Sequence, residues 1–386
     1  MLHIKDATVY TMEKEGIIEN CDILIENGKI KEVGIGLVSD QHAQVIDAKG
    51  LIVIPGIVDA HSHVGTCKVD NLKEDDTNEM TNPNSAQLDI YYGIDPNNPS
   101  FAECAKDGIT TSVIAPGSGN VFGGLVLAMK SAGKDFDARV IKKPCALKAA
   151  MGVNPKGIYG PREQLPMSRI GVAQVFIDFF ESVKQYQKKK ADANGDVSKM
   201  PKFDRALEHG QMVLERKIPL KVHSYQHDMM ALLRWKKEYG FDLTLDHAFG
   251  ASDFIDEIAQ SGAEVIWGPL SGPLFGGEGC KVDPECLKML HDRGVTCAIM
   301  TDGPVLHPYM IVTQAGEAVR HGLDVETALK MITINAAKIA RCDDRIGSIC
   351  QGKDGDLVIF EKMPAVDTDA QVRYTIIDGE IVYQAS

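Results

Sequence analysis

Four short apolar runs in this chain each end in a side chain able to bind a metal ion. His61 and His63 close Ile57-Val-Asp-Ala-His-Ser-His, His223 follows Ile218-Pro-Leu-Lys-Val, His247 follows Leu243-Thr-Leu-Asp, and Asp302 follows Ala298-Ile-Met-Thr. Two histidines two positions apart on a strand point to the same side and can clasp one ion. Neutral imidazoles with a carboxylate suit Zn²⁺, and a position left open on such an ion activates water at neutral pH. Asp302 is the natural proton shuttle, because a carboxylate beside that water can take its proton and return it to a leaving nitrogen. His247 is the second catalytic candidate. A single strand-end histidine is more often an ordinary hydrogen-bonded residue. The order His-x-His, His, His, Asp over four strand ends is what carries the reading.

For remote residues to converge, the strands must open onto one face. Between about Leu51 and Arg341, short apolar strands alternate with amphipathic helices, which implies parallel strands with helical crossovers. The candidate strands are Ile52–Val58, Ile109–Ala115, Cys145–Ala149, Ile218–Val222, Leu243–Leu245, Ala263–Trp267 and Val295–Met300. That count is one short of eight, and the stretch Val69 to Asp107 is expected to hold the missing strand or a long loop. In a (β/α)₈ barrel every strand's C-terminal end meets the same mouth. A doubly wound sheet fits less well, because no Gly-x-Gly-x-x-Gly follows the first strand. The two chain ends have a different grammar, of alternating strands closed by Asn27-Gly28 and Asp378-Gly379, which are strong hairpin signals. The predicted fold is therefore α/β, a (β/α)₈ TIM barrel over residues 55–344. Residues 1–54 and 345–386 together build a small β-sandwich domain. The polar run Lys188 to Lys199 is expected as an exposed insertion between helices.

Composition narrows the partners. With 386 residues and 44% hydrophobic content the chain can bury one large core and a satellite. A net charge of −13 opposes nucleic acid and anionic membranes, which leaves a small-molecule substrate as the expected ligand. Self-association into a homo-oligomer is compatible with this composition. Met1 to Glu13 reads as a strand rather than a secretory leader, and the apolar runs fall short of the roughly 20 residues a membrane span needs. A soluble, cytoplasmic protein is expected. The nine cysteines are scattered singly, with no Cys-x-x-Cys, and most are expected to be reduced and buried; Cys67, just past the His-x-His turn, stands apart.

The segment Gly50-Leu-Ile-Val-Ile-Pro-Gly-Ile-Val-Asp-Ala-His-Ser-His resembles the entry signature of the amidohydrolase superfamily. Ile332-Thr-Ile-Asn-Ala-Ala-Lys-Ile-Ala and Arg345-Ile-Gly-Ser-Ile-Cys-Gln-Gly-Lys-Asp-Gly-Asp-Leu-Val-Ile-Phe resemble its closing signature. Within that superfamily the likeness is to imidazolonepropionase-related members, through Ala115-Pro-Gly-Ser-Gly-Asn-Val-Phe-Gly-Gly, Leu147-Lys-Ala-Ala-Met-Gly-Val-Asn-Pro-Lys, Pro219-Leu-Lys-Val-His-Ser-Tyr-Gln-His-Asp and Thr301-Asp-Gly-Pro-Val. The resemblance implies His61, His63, His223, His247 and Asp302 as ligands of one or two divalent ions, zinc first among them. It also implies that Lys148, at the end of the fourth strand, could bridge two ions as a carboxylated lysine. A salt-bridged or substrate-binding lysine is the alternative, and Lys142, Lys143 and Lys221 are rivals. Gly303 stands where the family pattern leads us to expect a further histidine.

Substrate contacts are expected from Asn120 in the Gly-rich segment, from Lys156 and Arg162, which suit a carboxylate, and from His227. The Gly-rich segment itself is compatible with a tight strand-to-helix turn. The activity implied is metal-dependent hydrolysis of a C–N bond in an amide or cyclic amide, with an N-acyl or dipeptide hydrolase as a variant. A ring deaminase is less well served, because such enzymes place a Glu shortly after the fifth-strand His and this chain has Gln226 there. A barrel that kept its fold without chemistry is disfavoured, since buried unpaired His and Asp are costly to retain.

Overall fold

The computed structural model describes residues 1–67, 76–269 and 281–385. Cys280 lies outside them. The chain begins with five strands: β1 (Leu2–Tyr10), β2 (Ile17–Glu26), β3 (Lys29–Gly34), β4 (Gln44–Asp47) and β5 (Ile52–Pro55). Eight more follow: β6 (Ile57–Ser62), β7 (Ile109–Ile114), β8 (Phe122–Lys130), β9 (Val140–Ala150), β10 (Leu220–Tyr225), β11 (Leu243–Phe249), β12 (Glu264–Trp267) and β13 (Cys297–Ile299). The tail adds β14 (Leu357–Phe360), β15 (Val372–Ile377) and β16 (Glu380–Gln384).

The run expected as one strand over Ile52–Val58 is two. It divides at Gly56, where a Cβ would sit 2.1 Å from the Thr110 hydroxyl oxygen, so only glycine allows the chain to pass. Before it, β5 joins the terminal sheet, of order β16-β15-β14-β5-β1-β2-β3 with β4 also paired to β1. Strands from both chain ends thus share one sheet. It branches at β1, whose Leu2–Lys5 half pairs with β4 while Thr8 and Val9 pair with β5. Its core gathers Ile4, Val9, Ile23, Ile46, Val53, Ile359 and Ile376.

After Gly56, β6 to β13 form a second sheet in sequential order. It turns back on itself where Ser62 bridges Gly303 in parallel, and Val58 N–H donates to Ile332 O. The eighth strand is β8; residues 76–107 hold no strand, and the beginning of the stretch from Val69 lies outside the described residues. Strand β8 runs antiparallel to both β7 and β9. The Gly-rich segment therefore leads into a strand rather than a helix. All nine residues of β8 are buried, so it carries no alternating pattern to mark it as a strand.

One face of the barrel strands packs on helices. Leu220, Val222, Leu243 and Leu245 share a cluster with Phe176, Phe180 and Leu232 of the flanking helices. The alternate positions face the barrel interior, as the period of two requires. Val58, Ala60, Val113, Val126, Ala146, Ile266 and Ala298 make an apolar floor, plugged by Ala336, Ala337 and Ile339. The two sheets are tied by Lys130 at the end of β8. Its buried ammonium lies 2.7, 2.9 and 2.6 Å from carboxylates of Asp354, Asp356 and Asp378. The polar run from Lys188 is helical as far as Asp192, ending the helix Arg169–Asp192. Lysines are good helix formers and complement the negative end of the helix dipole there. No helix among the described residues is long and apolar enough to cross a membrane.

Candidate metal centre

Above the apolar floor the barrel interior becomes charged. Lys148 of β9 and Lys221 of β10 are register partners, and both are buried. Lys221 Nζ is 2.9 Å from Asp246 Oδ2 and donates to Ala60 O at 3.0 Å. Above this layer stand the four histidines and Asp302. His61 and His63 rings lie 5.2 Å apart, His61 and His247 5.5 Å, and His223 and His247 4.0 Å. Asp302 Oδ1 lies 3.6 Å from His61 Nε2 and 3.3 Å from His63 Nε2. Ligand atoms of His61, His247 and Asp302 fall within 4.8 Å of one another.

Each imidazole is held by its other nitrogen. His61 Nδ1 meets Asp246 Oδ2 at 2.5 Å, and His63 Nδ1 meets Ala115 O at 2.8 Å. His247 Nδ1 meets Gly268 O at 3.0 Å, and His223 Nδ1 meets Ser118 Oγ at 3.0 Å. A carboxylate or a carbonyl can only accept, so at His61, His63 and His247 the proton sits on Nδ1 and Nε2 offers a lone pair. The Nε2 atoms of His61 and His223 are buried without a hydrogen-bond partner. Leaving buried ring nitrogens unmatched costs about 1–3 kcal/mol each, which an ion would relieve. Burial, reinforced by neighbouring lysines and histidines, holds the His61 and His223 rings well below the ordinary imidazole range. Burial likewise lowers His247. Neutral rings are what a metal requires.

Local backbone makes this convergence possible. His247 and Ala248 have φ of 63° and 54°, and the β10–β11 register slips just there. The bulge breaks the strict alternation of β11, so adjacent Asp246 and His247 both reach the centre. Asp302 is also left-handed, with φ of 56°, and its N–H donates to His61 O at 3.1 Å. Such conformations cost energy and persist where the surroundings fix them. Here Asp59 does so: its Oδ1 accepts from Thr301 N–H at 3.1 Å, and its Oδ2 takes the Thr301 hydroxyl. Burial raises the Asp59 carboxyl to about 6. Burial alone would raise Asp302 too. Its close contacts with His63, His247 and the Lys148 ammonium outweigh it, holding the Asp302 carboxyl below its usual range.

Lys148 Nζ donates to Ser118 Oγ at 2.9 Å, so Ser118 links Lys148 to His223. Burial brings the Lys148 ammonium down to about 8. The glycines beside Ser118 serve close packing. A Cβ on Gly117 would lie 2.2 Å from the Asn78 side chain, and Gly119 N–H donates to Asn78 Oδ1 at 2.9 Å. Asn120 belongs to the same clamp, donating to Glu79 O and accepting from Tyr159 OH, both at 2.7 Å. Arg162 hydrogen-bonds Met80 O. Lys156 is half-buried on the helix Val153–Tyr159. His227 is exposed on the helix that starts at Gln226, whereas His223 lies in β10, so the two do not share a helix face. The structure thus gathers His61, His63, His223, His247, Asp302 and Lys148, and leaves Arg162 and His227 on exposed positions. Asp246, Asp59 and Ser118 were not singled out from the sequence. Only the dipeptide Asp246-His247 at a strand end hinted at the first.

The profile of the amidohydrolase family matches residues 283–382. An amidohydrolase of Hapsidospora irregularis, tasK, is 28% identical over 375 residues, covering 89% of this chain; the chain spans only 38% of that relative's length. Imidazolonepropionase of Clostridium tetani is 24% identical over 404 residues, covering 97% of this chain and 93% of its own. The crystal structure of an amidohydrolase from Thermotoga maritima MSB8 superposes with a TM-score of 0.94 and 35% identity, over 100% of both chains.

Proposed function

The chain belongs to the amidohydrolase superfamily, and from that premise we propose that it is a metal-dependent hydrolase cleaving a C–N bond of an amide or cyclic amide. The observation that carries this reading is the set of imidazoles whose Nδ1 atoms are all engaged, with the His61 and His223 Nε2 atoms left unpartnered beside Asp302. His61, His63, His223, His247 and Asp302 would hold one or two divalent ions, with zinc the best match to nitrogen ligands. Bound there, the ion would polarise the scissile carbonyl and activate water.

The rest is the work of the chain. Asp302, whose carboxyl is held below its usual range, accepts the attacking water's proton at a carboxylate oxygen and delivers it to the leaving nitrogen. Asp246 and the carbonyls of Ala115 and Gly268 hold the rings so that no reorganisation is needed during reaction. Lys148 would supply a positive charge, or a carboxylate ligand if it is carboxylated, level with Lys221 and two residues below His223 along the strands. Asn120 and Lys156 lie on the segments next to Ser118 and after β9, and belong to the substrate side in this reading. Deamination gains no support, because the Gln226 amide is tied to Asp253.

Elemental analysis of purified protein tests the proposal, followed by a panel of cyclic amides, N-acyl amino acids and dipeptides assayed on zinc-loaded enzyme. Stoichiometric divalent metal and turnover of an amide are expected. Absence of metal, with no gain of stability on adding zinc, overturns the reading.

A further inference from the structure

The helices Arg169–Asp192 and Arg205–Leu214 lie against each other: a Cβ on Gly210 would sit 2.5 Å from the Val183 side chain, and Lys190 Nζ reaches Glu208 at 2.9 Å. Residues 193–204 connect them. Beside this connection runs a groove of about 400 Å³, lined by Tyr186, Pro201, Phe203 and Leu207 together with Lys189 and Lys202. None of these residues belongs to the metal centre. Phe203 is 65% exposed, and Val197 and Met200 of the same connection are 85% and 41% exposed. Clustered exposed apolar side chains rimmed by polar ones mark an interaction surface.

Its charge sets the groove apart from the rest of the chain. Residues 184–205 carry seven cations against three carboxylates, in a protein of net charge −13. Lys184, Lys190 and Lys199 are paired with Glu181, Glu208 and Asp196. Lys188, Lys189, Lys202 and Arg205 are exposed, with no carboxylate at ion-pair distance among the described residues. Two neighbouring carboxylates are engaged: Asp204 accepts from Leu207 N–H at the helix start, and Glu208 accepts from Tyr186 OH as well as Lys190.

We propose that this groove docks an acidic peptide segment of a partner protein, with one large apolar side chain laid against Phe203 and carboxylates meeting Lys189 and Lys202. Docking there is independent of the metal chemistry. A short segment is favoured over a long polyanion because exposed charges act over only about 8–10 Å at ordinary salt. A peptide senses the basic groove alone, whereas an anionic bilayer or a nucleic acid also meets the acidic remainder of the chain.

The test is fluorescence anisotropy of labelled hexapeptides titrated with the full chain: Glu-Asp-Phe-Glu-Asp-Glu, its Phe-to-Gly form, and the basic counterpart Lys-Lys-Phe-Lys-Lys-Lys. The acidic phenylalanine peptide should bind saturably and about tenfold tighter than the glycine form, since one anchor side chain often carries that share of an interface. Salt raised from about 0.1 M to about 1 M shortens the screening length from about 10 to about 3 Å and should weaken binding severalfold. Lys189→Glu combined with Lys202→Glu should abolish it, and Phe203→Ala should remove the preference for phenylalanine; circular dichroism reports whether each variant is folded. No saturable binding of the acidic peptide overturns the proposal, as do equal binding of the basic one and undiminished binding by the double variant. Cosedimentation with phosphatidylcholine–phosphatidylglycerol vesicles in place of peptide binding would assign the surface to lipid and overturn it too.

Discussion

Asp246 offers the sharpest test of how the centre is held. It is fully buried, with its Oδ2 2.5 Å from His61 Nδ1 and 2.9 Å from Lys221 Nζ. Asp246→Asn removes the charge at nearly constant volume and leaves the Lys221 ammonium uncompensated inside the barrel. Breaking a buried pair in this way costs about 3–5 kcal/mol. Unfolding entropy of about 2.1 cal/mol/K per residue over 386 residues makes each kcal/mol worth roughly 1.2 °C, so Tm should fall by about 4–6 °C. Zinc affinity should fall separately, by about 10- to 100-fold, because the ring of His61 loses the carboxylate that fixes its tautomer. The two effects part in Asp246→Asn combined with Lys221→Met. Removing both charges should restore most of the Tm, as apolar replacement of a buried pair is often neutral. It should not restore the metal. Differential scanning calorimetry of chelator-treated protein and zinc competition titrations would read the two quantities. A double variant that regains affinity along with Tm, or a single variant with wild-type affinity, would refute the assignment of Asp246 to His61.

Asp302→Asn should keep most of the zinc yet lose about a hundred- to ten-thousand-fold in kcat, measured on whichever amide the panel identifies. Near-normal turnover would move the base to His247. Ser118→Ala should weaken zinc about 10- to 100-fold through His223, with Ser118→Thr recovering much of it; an unchanged competition curve for the Ala variant would make the Ser118–His223 contact incidental. Buried thiols should make the fold sensitive to alkali: Cys21 is pushed up to about 11 and Cys145 to about 12 by burial. A raised folded pKa contributes stability that is complete below the unfolded value of about 8.5 and is lost as pH climbs towards the folded one. Urea midpoints should therefore drop between pH 9 and 11, and Cys145→Ala should lessen the slope by about 1.4 kcal/mol per pH unit. A pH-independent midpoint over that window would contradict it.

Most of the barrel is legible in the sequence because its strands are short apolar runs ending in polar chemistry. What escapes notice is β8 and the break at Gly56, each obscured by its glycines. β8 begins Phe122-Gly-Gly and is covered on both sides, so it resembles a turn with an apolar run behind it. A Cβ on Gly124 would meet Leu88 O at 2.7 Å, so the glycine marks a close backbone approach rather than a chain reversal. Gly56 deceives in the opposite way. It sits inside an unbroken apolar run, and only its collision with Thr110 reveals that the strand changes sheets there.

The same contrast separates the ligands from the residues that orient them. His61, His63, His223 and Asp302 are visible because side-chain type and strand end coincide. Asp246 is hidden by the alternation rule, which assigns it and His247 to opposite faces until a positive φ at His247 overrides the rule. Asp59 is hidden because its partner Thr301 lies far along the chain, next to it only once the barrel closes. Ser118 is obscured by its glycine neighbours, which read as a tight turn although they pack against Asn78. Strand-end chemistry is written locally and can be read from one sequence. Orientation of that chemistry depends on closure of the barrel, and closure is a long-range property that local patterns do not encode.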